Sequence, residues 1–186
     1  LPDAGEQNRG SGNVVVAGYS YNTNGNSDYY TAKYAAVDGA LLWEKRYNGP
    51  ANSLDEAQAV VVDGSGNVVV TGSSVSSGGG WDYYTSKYAA ADGALLWEQR
   101  YNGPENYDRA NAVVVDGSGN AVVTGYSSGT NGYDYYTAKY AAPDGALLWE
   151  QRYNGPANGD DQARALAVDG SGNVVVTGNS YNGIDS

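Results

Sequence analysis

The chain has 186 residues and a net charge of −11, from 10 basic and 21 acidic residues. That balance argues against nucleic-acid binding, because phosphate recognition needs clustered Lys and Arg. With neither His nor Cys in the chain, disulfides, thiolate metal sites, the usual general base and the commonest metal ligand are all excluded.

The chain opens at Leu1-Pro2-Asp3 rather than at Met, as a processed or excised chain does. Residues 1–9 carry no strand pattern. From Gly10 onward the sequence repeats. GSGNVVV at 10–16 is followed by DYYTAKYAA at 28–36 and LLWEKRYNGP at 41–50. The same order returns as GSGNVVV at 64–70, DYYTSKYAA at 82–90 and LLWEQRYNGP at 95–104. It returns again as GSGNAVV at 117–123, DYYTAKYAA at 134–142 and LLWEQRYNGP at 147–156. A last GSGNVVV stands at 170–176, and the sequence stops at Asp185-Ser186, where a third strand of a fourth unit is due. Asn13, Asn67, Asn120 and Asn173 mark a period of roughly 53 residues. The units span approximately 10–56, 57–109, 110–162 and, in part, 163–186. No apolar run approaches the roughly 20 residues of a membrane span, so membrane insertion is not expected.

The second unit predicts four strands: AQAVVVD (57–63), NVVVTGS (67–73), DYYTSKYAA (82–90) and ALLWEQRYN (94–102). Each is short, rich in Val, Tyr, Leu or Trp, and bounded by turn residues. DGSGN between two Val runs reads as a tight hairpin in which Gly takes positive φ. The Val run lacks polar alternation, as expected of strands covered on both faces. Ala57 and Ala59 suit a crowded innermost strand, and LLWEQRY mixes apolar and charged residues as an outer strand does.

Four antiparallel strands per unit of this length are the signature of a propeller blade. The expected fold is therefore all-β: a β-propeller of four-stranded antiparallel blades, about three and a half of them in this chain. A β-solenoid or a sandwich is the alternative. Solenoid coils are usually shorter and stack in parallel, whereas hairpin turns within each unit favour antiparallel order. Three and a half blades are too few to close a ring. A homo-oligomer, or a longer chain that completes the ring, is accordingly expected.

The order A-x-A-V-V-V-D-G-S-G-N-V-V-V-T-G, then D-Y-Y-T-S-K-Y, D-G-A-L-L-W and Y-N-G resembles the bacterial beta-propeller repeat family named for its seven-bladed form. Asp63, Ser65, Gly66, Asn67, Thr71, Gly72, Asp82, Lys87, Tyr88, Gly93 and Trp97 carry the likeness. It covers nearly the whole chain and departs at residues 1–9, where the inner-strand Val run is missing. The resemblance implies a propeller fold and a secreted or cell-surface bacterial location, and it implies no chemistry. DGALLW also resembles part of the tryptophan-docking motif of quinone-dependent propeller dehydrogenases. Their chemistry needs one pocket with a metal and a catalytic Asp, which near-identical units do not specialise.

Candidate sites fall in two groups. Asp63, Ser65 and Asn67 recur as Asp116, Ser118, Asn120 and as Asp169, Ser171, Asn173. Oxygen ligands at alternate positions resemble the start of a calcium loop, so calcium is the one cofactor considered. The distal bidentate acid of such a loop is missing, and a plain hairpin turn uses the same residues. The second group is aromatic. Trp43, Trp97 and Trp149 recur in every unit, as packing anchors do. Trp81 does not recur: Ser27 and Tyr133 stand in its place in the other units. Trp81, Tyr133 and Tyr107, of the variable ENYD loop, are the expected ligand-binding residues. The loops NSLDE (52–56), ENYD (105–108) and NGDD (158–161) also differ between units.

Lys33, Lys87 and Lys139 are expected to pair with acids across strands or blades. Arg46, Arg100 and Arg152 are expected to meet Glu44, Glu98 and Glu150 of adjacent units. Carboxylates are plentiful, yet nothing singles out a catalytic pair, and the units show almost no polar asymmetry. The expected function is a non-enzymatic extracellular scaffold for protein or glycan binding or for self-assembly. The alternatives are a polysaccharide hydrolase or lyase, and an amplified or designed propeller without a native ligand.

Overall fold

The computed structural model describes residues 12–183. Thirteen strands account for its regular structure, and no helix occurs among the described residues. β1 (Val14–Tyr21), β2 (Ser27–Tyr34) and β3 (Leu41–Tyr47) form a three-stranded sheet. β4 (Asp55–Val62), β5 (Val68–Val75), β6 (Trp81–Tyr88) and β7 (Leu95–Tyr101) form a four-stranded one. β8 (Asp108–Val115), β9 (Ala121–Gly129), β10 (Gly132–Tyr140) and β11 (Leu147–Tyr153) form a second four-stranded sheet. β12 (Asp161–Val168) and β13 (Val174–Ser180) pair by themselves. Every pairing joins sequence neighbours in antiparallel order. The expected departure at residues 1–9 lies outside the described residues.

The turns explain this regularity. In DGSGN the Asp63 amide donates to the Asn67 carbonyl at 2.9 Å, and Gly66 takes φ 81°. Only a residue without Cβ adopts that angle cheaply. At the end of β6 the strand pairing slips at Lys87/Tyr88, and the Ala89 amide donates to the Ala94 carbonyl at 2.8 Å. The β6–β7 connection, residues 89–94, thereby closes within six residues.

The sheets pack face to face in chain order. Successive Val residues of β5 point to opposite faces. Val68 and Val70 join Tyr29, Trp43, Ala57, Tyr84 and Tyr88 between the first and second sheets. Val69 joins Tyr83, Trp97, Ala110, Val113, Ala121, Val123, Tyr136, Ala138 and Tyr140 between the second and third. All three Val residues are fully buried. The unbroken apolar run is therefore a strand with two dry faces. β1 lies against β4, β4 against β8 and β8 against β12.

One set of contacts fastens each sheet to the next. The buried Tyr83 hydroxyl donates to the Tyr136 carbonyl at 3.2 Å, as Tyr29 does to Tyr84 at 3.1 Å. The Tyr83 phenol reaches that carbonyl by passing close to Gly125. A Cβ at Gly125 would lie 2.7 Å from the phenol oxygen and 2.0 Å from the Arg109 carbonyl. The Trp97 indole donates to the Ala142 carbonyl at 3.1 Å, and its ring rests on Gly145. Lys87 donates to the same carbonyl at 3.1 Å while its ammonium sits 2.9 Å from Asp63. Trp43 and Trp97, with Lys33 and Lys87, are thus fixed by contacts between sheets.

The expected Arg–Glu pairing is replaced by another. Arg100 instead bonds Asp82 of its own sheet at 2.9 Å and the Tyr47 hydroxyl of the preceding sheet at 2.7 Å. Glu98 accepts from Tyr84 at 2.6 Å. Register is the reason: Arg100 stands opposite Tyr84, on the face turned toward the first sheet.

Two substitutions test this junction by urea denaturation. Tyr83→Phe removes one buried hydrogen bond and is expected to cost about 1 kcal/mol. Gly125→Ala drives a methyl group into backbone and is expected to cost about 3 kcal/mol. Equal, small losses at both positions would show that the sheets do not interlock there.

Candidate functional site

Each sheet has two ends. One carries the DGSGN and AADG turns, which scarcely change from unit to unit. The other carries the β1–β2, β5–β6 and β9–β10 hairpins and the turns that lead from one sheet to the next. There the sequence varies: YSYNTNGNS (19–27), SSVSSGGGW (73–81) and YSSGTNGY (126–133) occupy equivalent positions. NGPANSL (48–54), NGPENY (102–107) and NGPANGD (154–160) do likewise.

Trp81, Tyr107 and Tyr133 come together at this variable end. The Trp81 amide donates to the Asn106 carbonyl at 3.0 Å, and Trp81 forms an isolated bridge with Tyr107. The Tyr107 amide donates to the Ser128 hydroxyl at 3.1 Å. The Tyr133 amide donates to Asp160 Oδ1 at 3.1 Å. Tyr126 completes the group. Its ring centroid lies 5.0 Å from that of Tyr133 and 6.4 Å from that of Tyr107, and Tyr107 lies 5.7 Å from Tyr133. All four residues are half-buried.

Arg109 ties this aromatic group to β4 and β8, the first strands of their sheets. Its guanidinium carbon sits 5.1 Å from the centroid of the Trp81 ring, and its Nη2 is 2.6 Å from Glu56 Oε2. Burial opposes the Arg109 charge, but a hydrogen bond with Tyr107, the Tyr126 phenol and the Glu56 carboxylate outweigh it and raise the pKa. Burial also raises the phenol pKa of Tyr126 and Tyr133. At neutral pH the site therefore offers protonated phenols, a fixed cation and a fixed carboxylate.

The first strands of the later sheets hold residues that the sequence reading passed over. β4 begins Asp55-Glu56-Ala57-Gln58, β8 begins Asp108-Arg109-Ala110-Asn111, and β12 begins Asp161-Gln162-Ala163-Arg164. The Asp and Ala residues are constant and buried. The residues between them change in charge and size. A bulge between Ala57 and Ala59 leaves Gln58 without a cross-strand partner, and Asn111 and Arg164 occupy the same kind of bulge. Asn111 donates to the Ala163 carbonyl of β12, the first strand of the next sheet, at 2.7 Å. Polar asymmetry between units is thus present after all. Its signal was a pair of changing residues inside an otherwise constant strand.

The buried acids at this end have a different task. Asp108 Oδ2 accepts from the Gly103 amide and Asp55 Oδ2 from the Gly49 amide, each at 2.6 Å. Burial raises the pKa of both. Because they recur in each unit and hold the NGP turn, they serve the fold.

At the opposite end, Asp63, Ser65 and Asn67 form a closed hydrogen-bonded turn. Asp63 Oδ1 accepts from the Ser65 and Asn67 amides, both at 2.9 Å, and Oδ2 from the Asn67 side chain at 3.1 Å. Asp116, Ser118 and Asn120 repeat this pattern, as do Asp169, Ser171 and Asn173. In the first two turns the adjacent cation is a lysine: Lys87 beside Asp63, and Lys139 at 2.7 Å from Asp116. Among the described residues no group of three or more acidic side chains is placed to hold a metal.

Burial works against ionisation of Asp63 and Asp116, yet the hydrogen bonds from Lys87 or Lys139 and from Asn67 or Asn120 outweigh it. Both carboxyls are held below the usual range. A carboxyl lowered on folding stabilises the fold above its unfolded pKa of about 3.9 and loses that contribution as pH falls through the folded value. Asp55, Asp82 and Asp108 are raised, mainly by burial, and act with the opposite sign. Replacing Asp63 and Asp116 together by Asn is therefore expected to lower the urea midpoint at about pH 6 and to shift its slope between about pH 5 and pH 2, relative to wild type, toward a smaller loss of stability on acidification. An unchanged slope in the variant would remove these pairs from the account. Comparison of the whole chain with protein-family models finds no match, and neither does comparison with curated proteins.

Proposed function

We propose that this chain is a segment of an extracellular bacterial β-propeller that binds its ligand through the variable end and performs no catalysis. Repeated four-stranded antiparallel sheets, stacked face to face with their first strands adjacent, support the blade reading. The resemblance of Asp63, Ser65, Gly66, Asn67, Thr71, Gly72, Asp82, Lys87, Tyr88, Gly93 and Trp97 to the beta-propeller repeat pattern supports it further, and the bacterial, secreted location rests on that resemblance alone.

One observation carries the binding reading. Units that are nearly identical in their strands and at one end diverge at the other, and four aromatic rings with an Arg–Glu pair converge there. Packing alone explains residues that every unit repeats. It does not explain Trp81 and Tyr133, which share their position with Ser27, or Tyr107, which stands where Leu54 and Asp160 do, or Tyr126, which Tyr19 repeats but Ser73 and Asn179 do not. Trp, Tyr and Arg are the residues that dominate recognition surfaces, and Ser, Gly and Asn supply adaptable hydrogen bonds around them.

The test is an array of extracellular proteins and glycans probed with three proteins. Wild type and a variant of the constant end, Asp92→Ala with Asp144→Ala, are expected to bind the same ligands. Trp81→Ser with Tyr126→Ser is expected to lose at least about tenfold in affinity. Equal loss in both variants, or chemical turnover of an array component, would sink the binding reading.

A further inference from the structure

Building on the reading of the variable end as the recognition surface, we propose that the Trp81–Tyr107–Tyr126–Tyr133 cluster binds a neutral oligosaccharide. The rings define what fits. Tyr107, Tyr126 and Tyr133 contact one another at centroid separations of 5.0–6.4 Å. No space remains between them for an enclosed cation, so they present a continuous apolar surface edged by hydroxyl groups. Arg109, Glu56 and Asp160 stand at its margin. A ligand for this surface has a flat apolar face and a rim of donors and acceptors, and a pyranose ring has both.

Charge narrows the class. Arg109 is matched by Glu56 at 2.6 Å. Asp160 and Glu105 are exposed at the same end. Phosphate, sulfate and uronate groups are disfavoured by that excess.

A second feature points the same way. Neighbouring residues of a strand face opposite sides, so Tyr133 and Asp134 look to either side of the β9–β10 hairpin. On the Asp134 side lies a cleft of about 240 Å³ lined by Pro104, Thr130, Asn131, Asp134, Arg152 and Asn158, among others. Amide, hydroxyl and ionic groups crowd a volume too polar for an apolar ligand. It suits a further sugar unit, with the first stacked on the rings across the hairpin tip.

The chain offers its own reporter. It has four Trp residues, and Trp81 alone belongs to the variable end. Indole N–H resonances of the 15N-labelled chain are followed during titration with neutral trisaccharides of glucose, mannose, galactose and N-acetylglucosamine, with oligouronate and sulfated oligosaccharide as controls. At least one neutral trisaccharide is expected to shift Trp81 and leave Trp43 and Trp97 in place. Tyr126→Ser and Tyr133→Ser are expected to weaken it about tenfold each. Both variants place in the third unit the residue that a sister unit carries, Ser73 or Ser27, so folding is preserved and is checked by the unmoved Trp43 and Trp97 signals. The proposal is overturned if no neutral saccharide moves Trp81 at about 10 mM, if only the anionic controls do, or if the variants bind as wild type does. A protein ligand captured by the same end, with no saccharide response, would overturn the saccharide assignment and leave the binding reading standing.

Discussion

The second and third sheets each hide two apolar faces, and the buried tyrosine that crosses from one sheet into the next shows how closely those faces have to match. Tyr83 passes close to Gly125 to reach the Tyr136 carbonyl, and there is no room for even a methyl group at that glycine. Trp97 on Gly145, and Lys87 on the Ala142 carbonyl, apply the same constraint further out. Each of these two sheets is at once the partner of one neighbour and the partner of another on its opposite face. Both faces must therefore keep their residues, and the strand sequences of the units are held nearly constant.

That constraint decides where difference can accumulate. The faces are closed to it, and so is the DGSGN end, where Asp63 and Lys87 join the turn to the strand bundle. What remains is the opposite end and the bulged start of the first strand in a sheet. The bulge turns Gln58, Asn111 and Arg164 out of the ladder, so they change without disturbing it. The proposed recognition surface lies where the packing leaves freedom, on hairpins braced by strands that have none.

Much of this was legible in the sequence because the repeat exposes it. The Val runs, the DGSGN turns and the recurring Trp were readable from spacing and residue type, and the strands fall within about two residues of their expected bounds. Trp81, Tyr107 and Tyr133 were readable because they break the repeat. Tyr126 was not, since it sits inside the strand tract, where a tyrosine among Val, Thr and Gly reads as core. Glu56 and Arg109 were hidden for a related reason: a two-residue alternation with Ala looks like one strand face until the bulge is known. The Arg–Glu expectation failed because sequence gives no register across sheets. Arg100 and Glu98 share a strand face with Tyr84, but Arg100 reaches Tyr47, which belongs to a different sheet.

Rigidity also bears on the recognition proposed for this end. Ordering a mobile loop costs about 0.5–1.5 kcal/mol for each immobilised side chain, which weakens binding by as much. Here the rings of Tyr107, Tyr126 and Tyr133 already restrain one another, Trp81 is pinned through the Asn106 carbonyl, and Arg109 is held by Glu56. The Thr130-Asn131 tip is a two-residue connection with little slack of its own. A ligand meets a surface whose shape was fixed when the sheets packed. The interlock that keeps the units alike thus also fixes the place where they differ.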